Sequence, residues 1–77
     1  SIDWVAMCNA GYSTGYTTVQ ERKLHLVAYD ITQPKRLGAV MLQVRAYAAG
    51  GQKSVYECFL TEAERTRLLA ELALLIQ

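Results

Sequence analysis

Asp30 is the residue of this 77-residue chain best placed to do chemistry. It ends the apolar run Leu24-His25-Leu26-Val27-Ala28-Tyr29, and Lys35 and Arg36 follow shortly after it. A carboxylate at such a strand exit has two readings. It either bonds the backbone of Thr32 or Gln33 as a turn-forming Asx residue, or it serves as a ligand to a divalent cation. One carboxylate alone is a poor magnesium site, because Mg2+ usually takes one or two carboxylates together with waters and phosphate oxygens. A useful site therefore needs Asp30 from two copies of the chain, meeting across a symmetry axis.

The remaining reactive side chains support less. His25 is the one histidine, so any Ser-His-Asp or Cys-His arrangement would have to pass through it. It lies inside the apolar run and reads more simply as a satisfied strand histidine. Cys8 and Cys58 are far apart and lack a C-x-x-C partner or a histidine cluster, so neither a zinc site nor a disulfide framework is indicated. No GxxxxGK[ST], GxGxxG, HExxH or GxSxG pattern occurs, which leaves nucleotide cradling, zincin chemistry and serine hydrolysis without support. Tyr29, Tyr47 and Tyr56 either fill the core or stack on bases.

Charge is unevenly distributed along the chain. Residues 22–53 hold Arg22, Lys23, Lys35, Arg36, Arg45 and Lys53 against Asp30 alone, while the flanking stretches are each net negative. The basic middle segment is either a solvated helix face or a phosphate-facing patch that a two-fold dimer would double.

The elements that must position these groups follow from periodicity. The run ending in Asp30 is of strand length and nearly without alternation, which predicts a central strand covered on both faces. Pro34 suits the first helical position, with Gln33 or Thr32 capping. Leu37, Val40, Met41, Val44, Tyr47 and Ala48 then recur at helical steps, and Gly50-Gly51 is the expected stop. Ser54 to Leu60 alternates as a strand or a tight hairpin. Thr61-Glu62-Ala63-Glu64 is a capping box that opens a second helix carrying Leu68, Leu69, Leu72, Leu75 and Ile76.

The fold class expected from this order is α+β, a ferredoxin-like two-layer sandwich with both helices on one face of an antiparallel sheet. Its closing strand is missing after the second helix. The open edge must be covered by another chain, by further residues, or by the segment at 1–22, which reads as an amino-terminal arm or linker before a domain at 23–77. Within that arm Gly11-Tyr12-Ser13-Thr14 is nearly repeated by Gly15-Tyr16-Thr17-Thr18, a turn-forming connector by composition, and Trp4 and Met7 are candidates to dock on a neighbour.

With 52% apolar residues and a net charge of +1, the chain has the makeup of one folded domain rather than a disordered tail. No run is long enough for a membrane-spanning helix and no leader pattern is present, so the expectation is a soluble cytoplasmic protein without a membrane partner. A single core of this size is marginal, which makes self-association the default.

Three segments in this order resemble the CRISPR-associated protein two family: Leu26-Val27-Ala28-Tyr29-Asp30-Ile31 with Pro34-Lys35-Arg36-Leu37, then Gln52-Lys53-Ser54-Val55-Tyr56-Glu57-Cys58, then Leu60-Thr61-Glu62-Ala63-Glu64 before a Leu-rich helix. The resemblance covers residues 23–77. It implies a small ferredoxin-like homodimer that joins the CRISPR integrase during acquisition of new spacers, members being described as metal-dependent endonucleases on RNA or duplex DNA. Asp30 then looks like the family's catalytic and metal-binding acid, two copies sharing one Mg2+ or Mn2+ per dimer. Arg36 matches the basic residue after that strand, and Ser54 the polar position near the dimer cleft. Lys35, Arg45 and Lys53 join the nucleic-acid-binding set on charge grounds. Gln33 departs from the acidic residue common before the proline, and the family's closing strands are absent.

Two functions follow. One is phosphodiester hydrolysis at a metal held by two Asp30 carboxylates. The other is architectural, a dimer that grips DNA or RNA backbone without sequence preference and bridges the integrase. A toxin-like ribonuclease or a small regulatory module of the same fold is the alternative.

Overall fold

The computed structural model describes residues 3–13, 21–52 and 54–77. The elements are β1 (Trp4–Ser13), β2 (Lys23–Asp30), α1 (Pro34–Arg45), β3 (Ala48–Gln52), β4 (Val55–Leu60) and α2 (Glu62–Leu75). The strands form one sheet in the order β1-β2-β4-β3, with every neighbouring pair antiparallel. This is the expected α+β, ferredoxin-like arrangement.

Local chemistry explains where both helices begin. Pro34 opens α1, and the Gln33 side-chain oxygen accepts from the Arg36 amide at 2.6 Å, so an uncharged amide supplies the cap. At α2 the Glu64 amide donates to the Thr61 hydroxyl at 3.1 Å, while the Thr61 amide donates to the Glu64 carboxylate at 2.9 Å. That is the reciprocal box read from the sequence.

The end of α1 differs from the expectation. The helix stops at Arg45 rather than at Gly50-Gly51, because Ala48–Gln52 leaves it to pair with β4. Gly51 is needed for the hairpin instead. Its φ is +118°, and a Cβ there would stand 2.5 Å from the Val55 carbonyl oxygen. Of the two options left open for Ser54 to Leu60, the structure shows one strand, β4, hairpinned to a β3 whose Ala-Ala-Gly-Gly text carries little strand signal.

The edge beside β2 is taken by β1, inside the stretch that composition assigns to the arm. Trp4 pairs with Asp30, Ala6 with Ala28 and Cys8 with Leu26. The second Gly-hydroxyl tetrad of that arm lies outside the described residues.

Both helices cover the same face of the sheet. Val27 and Tyr29 of β2 and Tyr56, Cys58 and Leu60 of β4 pack with Ile31, with Val40 and Val44 of α1 and with Leu68 and Leu72 of α2. Val5 and Met7 of β1 join the margin of this core. The opposite face carries Leu26 and Val55, 39% and 48% exposed, together with Ala6, Ala28 and Trp4. The expectation that both faces of β2 are covered therefore fails for one chain: successive side chains of a strand point to opposite sides, and the helices occupy only one. Among the described residues nothing covers the apolar opposite face.

His25 is 1% exposed and only half satisfied. Its Nδ1–H donates to the Lys23 carbonyl at 2.8 Å, whereas Nε2 has no partner among the described residues. Tyr29, Tyr47 and Tyr56 are core residues: Tyr29 and Tyr56 are buried and stacked 6.3 Å apart, and Tyr47 packs against the core margin.

Candidate nucleic-acid interface

One end of the sheet collects most of the residues singled out above. Asp30 closes β2 and projects from the bare face, since Tyr29 before it is buried beneath the helices. It is exposed, and it has no side-chain hydrogen bond or ion pair among the described residues. The Asx-turn reading is therefore not what the structure shows; both carboxylate oxygens are available.

The turn after Asp30 is organised by a different carboxylate. Asp3 accepts from the Thr32 amide and from the Thr32 hydroxyl, each at 3.0 Å, and from Arg36 Nη1 at 2.7 Å. Its side chain is 8% exposed against 35% for Arg36. The Thr32 amide, followed by the Arg36 guanidinium, holds the Asp3 carboxyl below the usual carboxylate range. Asp3 thus ties the start of β1 to the start of α1, and it engages the cation that the sequence assigns to nucleic acid.

The other predicted contacts divide. Lys35 is exposed beside Arg36 and has no ion pair among the described residues, which leaves it as the uncommitted cation of this end. The first turn of α1 holds no acidic residue, so its amino terminus adds positive potential there. Ser54 lies at the same end, its carbonyl accepting from the Tyr29 amide at 3.1 Å. Lys53 lies outside the described residues. Arg45, at the far end of α1, donates from Nε to the Tyr56 hydroxyl at 3.2 Å and is not brought to the Asp30 end. Burial and the neighbouring Tyr56 push the Tyr29 hydroxyl up to about 12, and burial pushes the Cys58 thiol up to about 11, so neither is a nucleophile at neutral pH.

Sequence reasoning missed the partners of these groups. Asp3 for Arg36, Tyr56 for Arg45 and Glu64 for Arg22 are all distant in the chain, and no local spacing reports them. It also missed that Trp4 is the direct cross-strand neighbour of Asp30.

No group of three or more His, Cys, Asp or Glu side chains placed to hold a metal occurs among the described residues. Asp3 already accepts three hydrogen bonds, which leaves Asp30 as the acid without a partner at this end among the described residues. The donor set of a single chain is thus one oxygen ligand residue, and it fits a hard divalent cation only when a second copy supplies another Asp30.

Comparison with known proteins now bears on this geometry. The profile of the family described as CRISPR associated protein Cas2 matches residues 23–77. The chain is 46% identical over 55 residues to a protein named CRISPR-associated endoribonuclease Cas2 1 from Thermodesulfovibrio yellowstonii, covering 71% of this chain and 60% of that protein. It is 45% identical over 51 residues to one named CRISPR-associated endoribonuclease Cas2 2 from Nitrosomonas europaea, covering 66% and 45% respectively. The chain therefore spans about half the length of these relatives. No solved structure matches it closely. β1 lies wholly before the matched stretch.

Proposed function

The chain belongs to the CRISPR-associated Cas2 family, and from that premise we propose that it works in spacer acquisition as a homodimer that grips nucleic-acid backbone and bridges the CRISPR integrase. On this reading the dimer also has a metal-dependent phosphodiesterase activity on RNA or DNA. The observation that carries it is the uncommitted Asp30 at the margin of a bare apolar sheet face. Two copies that bury this face against each other cover Leu26, Ala28 and Val55, and a two-fold axis near the end of β2 brings the two Asp30 carboxylates together. Exposed apolar area of this kind is a driving force for association.

Each chain's own groups then have distinct tasks. The two Asp30 side chains would hold one Mg2+ or Mn2+, which when bound activates water and offsets charge on the phosphate. Lys35 and the amino terminus of α1 attract the backbone without reading bases. Arg36, paired with Asp3, orders the turn that carries Lys35 and contributes its remaining N–H groups. The names of both relatives as endoribonucleases favour the hydrolytic part of this reading.

Asp30→Asn tests it, because the substitution keeps shape and removes charge. Mg2+-dependent cleavage of labelled RNA and duplex DNA should fall at least about a hundredfold, with the sedimentation coefficient and backbone affinity unchanged. Cleavage at the wild-type rate by the variant rejects the metal site.

A further inference from the structure

We propose that Asp3 is an internal competitor for phosphate: it fills an anion site made by the Thr32 amide, the Thr32 hydroxyl and the Arg36 guanidinium, and nucleic-acid backbone takes that site only by displacing it. The inference deepens the reading above by naming a regulation of the same cationic end, and it rests on the claim that backbone reaches Lys35 and Arg36.

Three donors converge on one carboxylate. Asp3 Oδ1 accepts from the Thr32 amide and from the Thr32 hydroxyl, each at 3.0 Å, and Oδ2 accepts from Arg36 Nη1 at 2.7 Å. A main-chain amide, a hydroxyl and a guanidinium aimed at two oxygens of one anion form a donor set that also matches two oxygens of a phosphate. The site is distinct from the end of α1 itself: Pro34 has no N–H to offer, and the Arg36 amide is already taken by the Gln33 side chain. Arg36 belongs to the helix layer, on the other side of the sheet from the face that a second copy buries, so the proposed dimer leaves its guanidinium accessible.

The occupant comes from outside the stretch it blocks. Thr32 and Arg36 lie within the residues matched by the family, whereas Asp3 lies ahead of them. Asp3 also stands one residue before Trp4, the first paired residue of β1, so it swings away without breaking a rung of the ladder. Release is a local event. Its cost is set by tethering: a carboxylate on a short leash acts at an effective concentration of about a millimolar or more, which a dilute free phosphate does not match. A polymer already attracted by Lys35 brings its own phosphates to the site in tethered form, and so competes on equal terms. The Arg36 side chain is 35% exposed against 8% for Asp3, which lets an incoming anion meet the guanidinium before the carboxylate leaves. The result is a threshold, in which isolated anions are refused and a backbone gripped elsewhere gains Arg36 in full.

Asp3→Asn keeps an oxygen for Thr32 and removes the competing charge. Binding of an end-labelled blunt duplex is followed by anisotropy in EDTA over a range of salt concentrations. The variant should bind about tenfold more tightly than wild type, and log K should fall more steeply with log salt by about one unit, as one more phosphate is contacted. Glu62→Gln removes the same charge from an exposed side chain at the opposite end of the sheet and should change affinity less than about twofold. Equal gains from the two variants overturn the proposal, since net charge then explains both. In an Arg36→Ala background Asp3→Asn should add no more than Glu62→Gln does, and a full gain there also overturns it. A readout on the wild-type protein needs no variant to fold: saturation with duplex should move the Asp3 carboxyl 13C resonance as its three donors are lost, and a resonance that stays in place while duplex binds overturns the proposal. Because metal is absent, a failed Asp30 cleavage test leaves this result standing. Firm binding of equal strength by wild type and Asp3→Asn removes this inference alone; no binding by either removes it together with the reading beneath it.

Discussion

Val27 and Leu26 are neighbours in β2 and comparably apolar, yet Val27 is fully buried beneath the helices while Leu26 is 39% exposed. The same contrast runs across β4, where Tyr56 and Cys58 are buried and Val55 is not. What separates them is the pleat: two helices can cover one side of a four-stranded sheet, and the residues pointing away keep their apolar character without a cover. The covered side supplies the stability of the single chain. The bare side holds Asp30 and Trp4, and its unspent hydrophobic area is available for a second copy.

Substitutions can break or sharpen this division. The largest effect belongs to the covered side: Leu68→Ala should cost about 2 to 5 kcal/mol in urea unfolding, because it empties a fully buried site. A cost below about 1 kcal/mol would mean that the helices do not pack as described. Leu26→Ser, on the bare side, should cost the dissociated single chain far less than Leu68→Ala, in unfolding measured at a concentration low enough to keep copies apart. It should nevertheless weaken self-association about tenfold in sedimentation equilibrium, corresponding to about 1.4 kcal/mol; unchanged association would show that copies do not meet through this face.

The smallest effect concerns how the covered side is fastened. Arg22 donates to both oxygens of Glu64, at 3.0 and 2.9 Å, and with the Thr61 amide lowers the Glu64 carboxyl from its ordinary 4.5 to about 2. A depressed carboxylate contributes stability above its unfolded value, and that contribution is lost as pH falls from about 4.5 toward about 2. Arg22 is half exposed, so solvent screening keeps the contribution small. Arg22→Ala should flatten the stability profile across that window, with a small loss of stability near neutrality that vanishes toward pH 2, in unfolding measured at a series of pH values. A wild-type slope retained in the variant would assign the acid sensitivity elsewhere, Asp3 being the next group in line.

How much of this was legible in the sequence depended on the range of the interaction involved. β2, the capped start of α1 and the capping box of α2 are written in short stretches, and the structure has all three. Asp30, Lys35 and Arg36 share one end of the sheet because a short turn joins them. β3 was not legible, since small residues and glycines have no strand preference of their own and adopt it by pairing with β4. The engagement of Arg36 by Asp3 and of Arg45 by Tyr56 was hidden for a related reason: charge counted along a chain says where cations are, and only the fold says which of them are already occupied.

The position of β1 carries a practical consequence for anyone handling this molecule. A fragment trimmed to the matched 55 residues would turn an interior strand into a border, leaving the main-chain donors and acceptors that now face Trp4–Ser13 open to whatever polypeptide drifts by. Such a piece should be sticky and prone to ribbon-like self-stacking, so the region outside the recognised homology is the part that keeps the rest well behaved.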